Sequence, residues 1–493
     1  MHDDTVSFLH RFATLLLLLL TLPRAYADYE VDPDYVGPSF RVQTSVLPVN
    51  FPNQPAAALA FAGRNRDGEP VLGLVRFEQG DIRYREIGLP ASAVAIDVGP
   101  VNDDSDALFV LAGGVVYAVR AFADDLAEVA NGSSMYRGRS LAELSSELDF
   151  ARDVDGDNGA DLLIPDFDVL HVIRAGESRS IELPSYRRGW DQTVAYIAPS
   201  VVAAPSLAGG TLYNVRGNEL LTFAASATTA RSSELGLGLS NELERETFYN
   251  GFEDIDQNDL VLREVDSMSD INGDDLPDIV TLETVSEGVF DKTTTYRVHH
   301  GRLEYDALTF DSEADTVLSS RGFQVGARIA PLDDDEQRKI MVTASVQVGV
   351  RTIIGALFSR AVTMRIEIYP PGDDGTIAPE PSTTVKARVK FDFGTGQVEF
   401  PTIAFGDIDG DGVNDLIVKE RRRALNWRRG MGDGSFDTDS IDLDVTGPAN
   451  GTNVVLADLT GDDRDEVVVL YGRADGDSLS GQIGVFGNFP GER

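Results

Sequence analysis

Three observations predict an all-β fold. A short acidic motif recurs four times, each time run directly into a strand-like apolar stretch. Eroded copies of it fill the gaps at intervals of mostly about 45 to 75 residues. Long amphipathic helices are absent, and strand-like runs alternate with Gly, Asp and Asn turns. Three or four short strands per repeat point to a β-propeller of about eight blades, with seven as the alternative. A parallel β-helix needs a shorter period and ranks second.

The elements follow in chain order. Phe12 to Leu22 reads FATLLLLLLTL and is followed by Pro23, Arg24 and AYA. This apolar run and small-x-small site read as a signal peptide over 1–27, cut after Ala27. Asp3 and Asp4 beside Arg11 depart from the usual positive start. The run falls short of the roughly 20 residues that span a bilayer, and no other stretch is a candidate, so no transmembrane segment is expected. A periplasmic or extracellular location follows. Residues 28–45 form an N-terminal segment, in which SFRVQTSV from Ser39 is expected to add a closing outer strand to the last blade. Residues 46–493 form the propeller. Short helical inserts are expected near 141–148 and 241–248.

The motif reads DVDGDNGADLLI from Asp153, DINGDDLPDIV from Asp270, DIDGDGVNDLIV from Asp407 and DLTGDDRDEVVV from Asp458. In a tight turn the side chains at positions 1, 3 and 5 converge. A backbone carbonyl at 7 and a carboxylate at 9 can complete an oxygen cage. The candidate metal ligands are Asp153, Asp155, Asp157, Gly159 and Asp161; Asp270, Asn272, Asp274, Leu276 and Asp278; Asp407, Asp409, Asp411, Val413 and Asp415; and Asp458, Thr460, Asp462, Arg464 and Glu466. Hard oxygens with several negative charges suit Ca²⁺, so about four calcium sites in inter-strand hairpins are expected. Glycine at position 4 permits the turn. An EF-hand differs, with a 12-residue loop and flanking helices. The alternative is that Asp and Gly merely make β-turns.

These strings resemble the FG-GAP/VCBS repeats of calcium-binding propellers. That family includes the N-terminal propeller of integrin alpha subunits, certain lectins and many secreted bacterial proteins. FGDIDGDG at Phe405 is the nearest match, and the resemblance runs from about residue 46 to 490. It implies the fold and the calcium, and it names no activity. The family's ligands do not carry over to the eroded copies near Asn50, Pro100, Pro199 and Pro331. The last of these places position 1 at Pro331 and has Lys339 at position 9.

Composition narrows the function. With 81 acidic against 42 basic residues, the formal net charge is −39. That argues against nucleic acid and against an anionic membrane face. Cysteine is absent, which removes disulfides and thiolate chemistry. No nucleophile elbow or phosphate loop is present, and no catalytic residue is assigned. His171 reads as a packed strand residue. His299 and His300 are adjacent and would face opposite ways on a regular strand. One basic run, KERRRALNWRRG from Lys419, offers Arg421, Arg422, Arg423, Trp427, Arg428 and Arg429 as a candidate partner-binding patch. Its alternative is a solvated outer strand of paired arginines. The expected function is a secreted module that binds a protein or glycan. The alternatives are a polysaccharide lyase or hydrolase using the central channel, and a structural periplasmic scaffold.

Overall fold

The computed structural model describes residues 34–487, apart from 79–80, 103, 132–143, 147, 167–168, 175–176, 183–201, 205–210, 225–227, 251–257, 288–291, 306, 322, 334–337, 347–360, 373–374, 393–396, 400 and 421–423. Eight antiparallel sheets of four or five strands succeed one another along the chain. They begin at the inner strands Leu47–Val49, Ala93–Asn102, Ala151–Arg152, Val202–Ala204, Asn258–Ser269, Phe323–Pro331, Ile403–Gly406 and Val454–Ala457, and we number the blades 1 to 8 in that order. Inner strands of neighbouring blades pack together around the axis. This is an eight-bladed β-propeller.

The core explains why the ring closes at eight. Strand faces alternate, so each sheet buries one face against the blade before it and the other against the blade after it. Eight apolar clusters result, one between each adjacent pair of blades. Leu72, Ile96 and Leu108 fill the gap between blades 1 and 2. Leu59, Phe61 and Val468 fill the gap between blades 8 and 1, which completes the circle. Among the described residues, each blade contributes buried side chains to the gaps on both of its sides.

The last blade takes its fourth strand from the other end of the chain. Asp34–Val36 pairs antiparallel with Ile483–Phe486, Asp34 opposite Val485. The expected strand SFRVQTSV is displaced from that role. Arg41–Val42 instead joins blade 1, opposite Gly63 and Arg64. The reason is spacing. Phe40 and Val46 already anchor this stretch in the cluster shared by blades 8 and 1, so only the chain ahead of it reaches the outer edge.

Two insertions decorate the ring. Glu242–Asn250 is a helix on blade 5, matching the expected insert. Asn241 and Glu244 cap it reciprocally, with side chain to amide distances of 3.0 and 2.9 Å. The stretch 141–148 is described only in part, and its described residues form no helix. Ser145 bridges in parallel to Ala95, exchanging backbone hydrogen bonds with Val94 and Ile96.

Removing the chain ahead of Gly37 should expose the edge of Ile483–Phe486. The expected result is a lower melting temperature with concentration-dependent association, read by thermal scanning and light scattering. An unchanged melt in a monodisperse sample would contradict the closure.

Candidate functional site

Each of the four strong motifs is the loop from the inner strand to the second strand of its blade, in blades 3, 5, 7 and 8. The loops share one hydrogen-bond pattern. The position 1 carboxylate accepts the position 4 amide at 2.7, 2.8, 2.7 and 2.6 Å. Its second oxygen accepts the position 6 amide. One oxygen at position 9 accepts the position 2 amide, from Val154, Ile271, Ile408 and Leu459. Gly156, Gly273, Gly410 and Gly461 at position 4 have φ of 76 to 78°, a conformation that disfavours a Cβ.

A further set of bonds joins loop to loop. The amide at position 8 donates to the carbonyl at position 1 of the preceding blade. Asp465 reaches Asp407 at 2.6 Å, Ala160 reaches Pro100 at 2.7 Å and Asp106 reaches Asn50 at 2.6 Å. Ala57 of blade 1 reaches Asp458 of blade 8 at 2.9 Å, which closes the belt. Asn414 reaches Leu332 of blade 6 at 3.0 Å. Leu332 therefore holds position 1 there, since Pro331 still lies in register with Lys339. The expected assignment of Pro331 to position 1 is one residue early. Lys339, at position 9, sends its ammonium to the Asp270 carbonyl of blade 5 at 2.6 Å.

The loops gather carboxylates. Asp407, Asp409 and Asp415 each bring an oxygen within 4.8 Å of the others, as do Asp153, Asp155 and Asp157. Asp409 is 7% exposed, and its Oδ1 is buried without a hydrogen-bond partner. Burial pushes the Asp161, Asp415 and Glu466 carboxyls up to about 7. Burial and then Asp411 raise Asp409. Such all-oxygen, strongly anionic donor sets are those that hard divalent cations take.

The described candidates of the basic run, Trp427 to Arg429, turn inward instead of outward. Arg421, Arg422 and Arg423 lie outside the described residues. Trp427 is 4% exposed and packs between blades 7 and 8, so it cannot stack on a sugar. Its place on Ala424–Arg428, the third strand of blade 7, puts its ring on a blade face, beside Asp415. Arg428 pairs with Glu420 and donates to the carbonyls of Asp437 and Thr438. Arg429 reaches into the loop, with Nε 2.9 Å from Asp409 Oδ2. Of the alternative, the pairing holds for Arg428 and Arg429, which meet acids, but the strand is the third of its blade, the outer one being Ile441–Thr446. The histidines are dispersed. His171 meets Ser180 at 3.0 Å. His299 is buried with Nδ1 2.9 Å from the Asp311 carbonyl, and burial drops its pKa to about 4. His300 contacts Asp278 at 3.2 Å.

The FG-GAP-like repeat family model matches residues 407–469, which spans the loops of blades 7 and 8. The chain is an eight-bladed β-propeller with FG-GAP-like repeat sequence in blades 7 and 8. No curated protein matches this propeller. Among solved structures it is similar to hydrazine synthase from Kuenenia stuttgartiensis, at 11% identity over 84% of this chain and 99% of that one, TM-score 0.36. It is also similar to a mutant of AofleA from Arthrobotrys oligospora (11% identity, 84% and 90% covered, TM-score 0.27). A third is a putative 6-phosphogluconolactonase from Bacteroides uniformis (11% identity, 82% and 98% covered, TM-score 0.30). Among the described residues no helix is long and apolar enough to cross a membrane.

The raised carboxyls set a pH dependence. A carboxyl with a folded pKa above its unfolded value binds its proton more tightly when folded, so it destabilises the fold as pH rises from the unfolded value of ~4 through ~7. In chelator the propeller should therefore melt higher near pH ~5 than near pH ~8. Added Ca²⁺ should raise the melting temperature more at the higher pH. Parallel melts at both pH values check this.

Proposed function

We propose that the propeller is a secreted, calcium-stabilised binding module whose ligand is a protein or a glycan. The observation that carries the calcium reading is the buried Asp409 Oδ1, which lacks a partner within a loop pattern built four times over. A cation held by Asp407, Asp409, Asp411 and Asp415 gives that oxygen a partner and offsets the mutual repulsion of the carboxylates. The equivalent residues of blades 3, 5 and 8 would hold a cation in the same way. The apolar N-terminal run from Phe12 to Leu22 supports export to the periplasm or beyond.

Ligand binding belongs at the opposite rim. The loops sit where inner strands end. At the other end of blades 8 and 1, a groove of about 800 Å³ opens beside the lead-ins to both inner strands. Arg41, Gln43 and Thr44 line it from one side, and Asn450, Asn453 and Arg473 from the other. Amides, hydroxyls and guanidinium groups in a concave site favour an oxygen-rich ligand such as a glycan or an acidic peptide.

Two measurements test this. Calorimetric titration should show about four Ca²⁺ per chain, with melting lowered by EDTA. No bound Ca²⁺ and an EDTA-insensitive melt sink the metal reading. Arg41→Glu with Arg473→Glu should abolish capture of the ligand found by glycan array or envelope pull-down. The melting temperature should stay within a few degrees of the parent. Retained capture by the folded variant sinks the groove.

A further inference from the structure

The four loops differ in one respect that strand register exposes. Carrying the pairing of second and third strands one residue further sets Arg174 opposite Asp161 and His300 opposite Asp278. It sets Arg429 opposite Asp415 and Gly487 opposite Glu466. Position 3 of the loop varies in step. It is Asp155 or Asp409 where an arginine faces the loop, and Asn272 or Thr460 where His300 or Gly487 does.

The contacts follow the same division. Arg429 Nε lies 2.9 Å from Asp409 Oδ2, and its Nη2 lies 2.8 Å from Asp411 Oδ2. Arg174 lies 3.5 Å from Asp155 Oδ2 and 3.1 Å from Asp161 Oδ2. In the other two loops the position 3 side chain is itself the donor. Asn272 Nδ2 reaches Asp274 Oδ2 at 3.1 Å. Thr460 Oγ1 reaches Asp462 Oδ1 at 3.1 Å and Glu466 Oε1 at 3.3 Å. Blade 8 has no room for a facing side chain, since a Cβ on Gly487 would lie 2.9 Å from Glu466 Cγ.

We propose that Arg174 and Arg429 are built-in counter-ions matched to the position 3 aspartate, so that this extra carboxylate adds no net charge to the loops of blades 3 and 7. Positions 1, 3, 5 and 9 carry four carboxylates in blades 3 and 7, and the arginine offsets one. They carry three in blades 5 and 8, with no arginine opposite. The planar fork suits this task. It bonds Asp409 and Asp411 through separate N–H groups and leaves Asp409 Oδ1 turned away from it, without a partner. Arg429 is a positioning and charge-setting residue, and no cation ligand is asked of it. The pairing itself stands without calcium; only its effect on affinity rests on the calcium reading above.

The test is a double-mutant cycle in blade 7. Arg429→Gln leaves four carboxylates unopposed, so in EDTA it should lower the melting temperature. Asp409→Thr alone and Asp409→Thr with Arg429→Gln complete the cycle; the double variant, with three carboxylates and no arginine opposite as in blade 8, should recover most of that loss. The same variants are titrated with Tb³⁺ and back-titrated with Ca²⁺. Trp427 beside Asp415 sensitises this loop in a Trp190→Phe background. Arg429→Gln should tighten binding there about tenfold, because affinity at such loops follows ligand charge, and the double variant should return near the parent value. Thr460→Asp, which adds a carboxylate with no arginine opposite, should likewise lower the metal-free melt. Additive melting effects of positions 409 and 429 in EDTA overturn the pairing. Unchanged or weaker binding by a folded Arg429→Gln protein overturns the charge rule. A parent that binds neither ion overturns the calcium reading and leaves the EDTA cycle to decide the pairing.

Discussion

The rim rests on backbone hydrogen bonds that pass from one loop to the loop before it. Five of the eight second strands, those of blades 1, 2, 3, 7 and 8, have an amide at or just ahead of their start that needs a partner in a crowded rim, and the first carbonyl of the neighbouring loop supplies it. A buried amide left unpaired costs about 1–3 kcal/mol, so the belt fixes where each loop begins and how far it reaches. This explains why the eroded loops keep their outline after losing their acids. Asn50, Pro100 and Leu332 retain the carbonyl, which any residue provides. Carboxylates were dispensable at those positions. Where the loop is shorter, blade 2 keeps the backbone bond through Asp106, and in blade 6 a lysine side chain spans to the preceding loop.

Much of this architecture was legible from residues alone. The period of the acidic motif located the blades, because each strong copy marks one inner-to-second hairpin. The eroded copy placed at Pro199 missed, since the hairpin of blade 4 joins Val202–Ala204 to Thr211–Arg216 and Pro199 lies outside the described residues. Alternating apolar strands marked the two buried faces of each sheet. Three features were hidden for physical reasons. The closing strand Asp34–Val36 is too short to show alternation, and SFRVQTSV beside it shows it better. Trp427 stands among five arginines and reads as exposed, but the pleat turns its ring into the gap between blades. The facing arginines were invisible because the hairpins differ in length. Arg174, His300, Arg429 and Gly487 stand at unequal distances along the chain from their position 9 partners, and only strand register aligns them.

The acidic composition acquires a finer structure at the rim. Burial pushes the position 9 carboxyls of Asp161, Asp415 and Glu466 up to about 7, yet each is gripped by a backbone amide from its own loop. Such a site is costly when charged and empty, and well organised for a cation. Arginine appears where a fourth carboxylate would tip that balance. In a chain without cysteine, cross-linking of this kind falls to guanidinium–carboxylate pairs, whose strength depends on the surrounding medium in a way a covalent bond does not.

The strand Asp34–Val36 carries a consequence for how the molecule comes into being. Its partner, Ile483–Phe486, lies near the far end of the sequence. During synthesis seven blades can assemble in order while the circle stays open, and the belt bond from Ala57 to Asp458 has nothing to meet. Until the final hairpin emerges, the gap-facing sides of blades 1 and 7 remain wet. Long-range pairing of this kind is slow. The chain is therefore held unsealed until its last strands arrive, a property well suited to any polypeptide that must cross a barrier unfolded and become rigid on the other side.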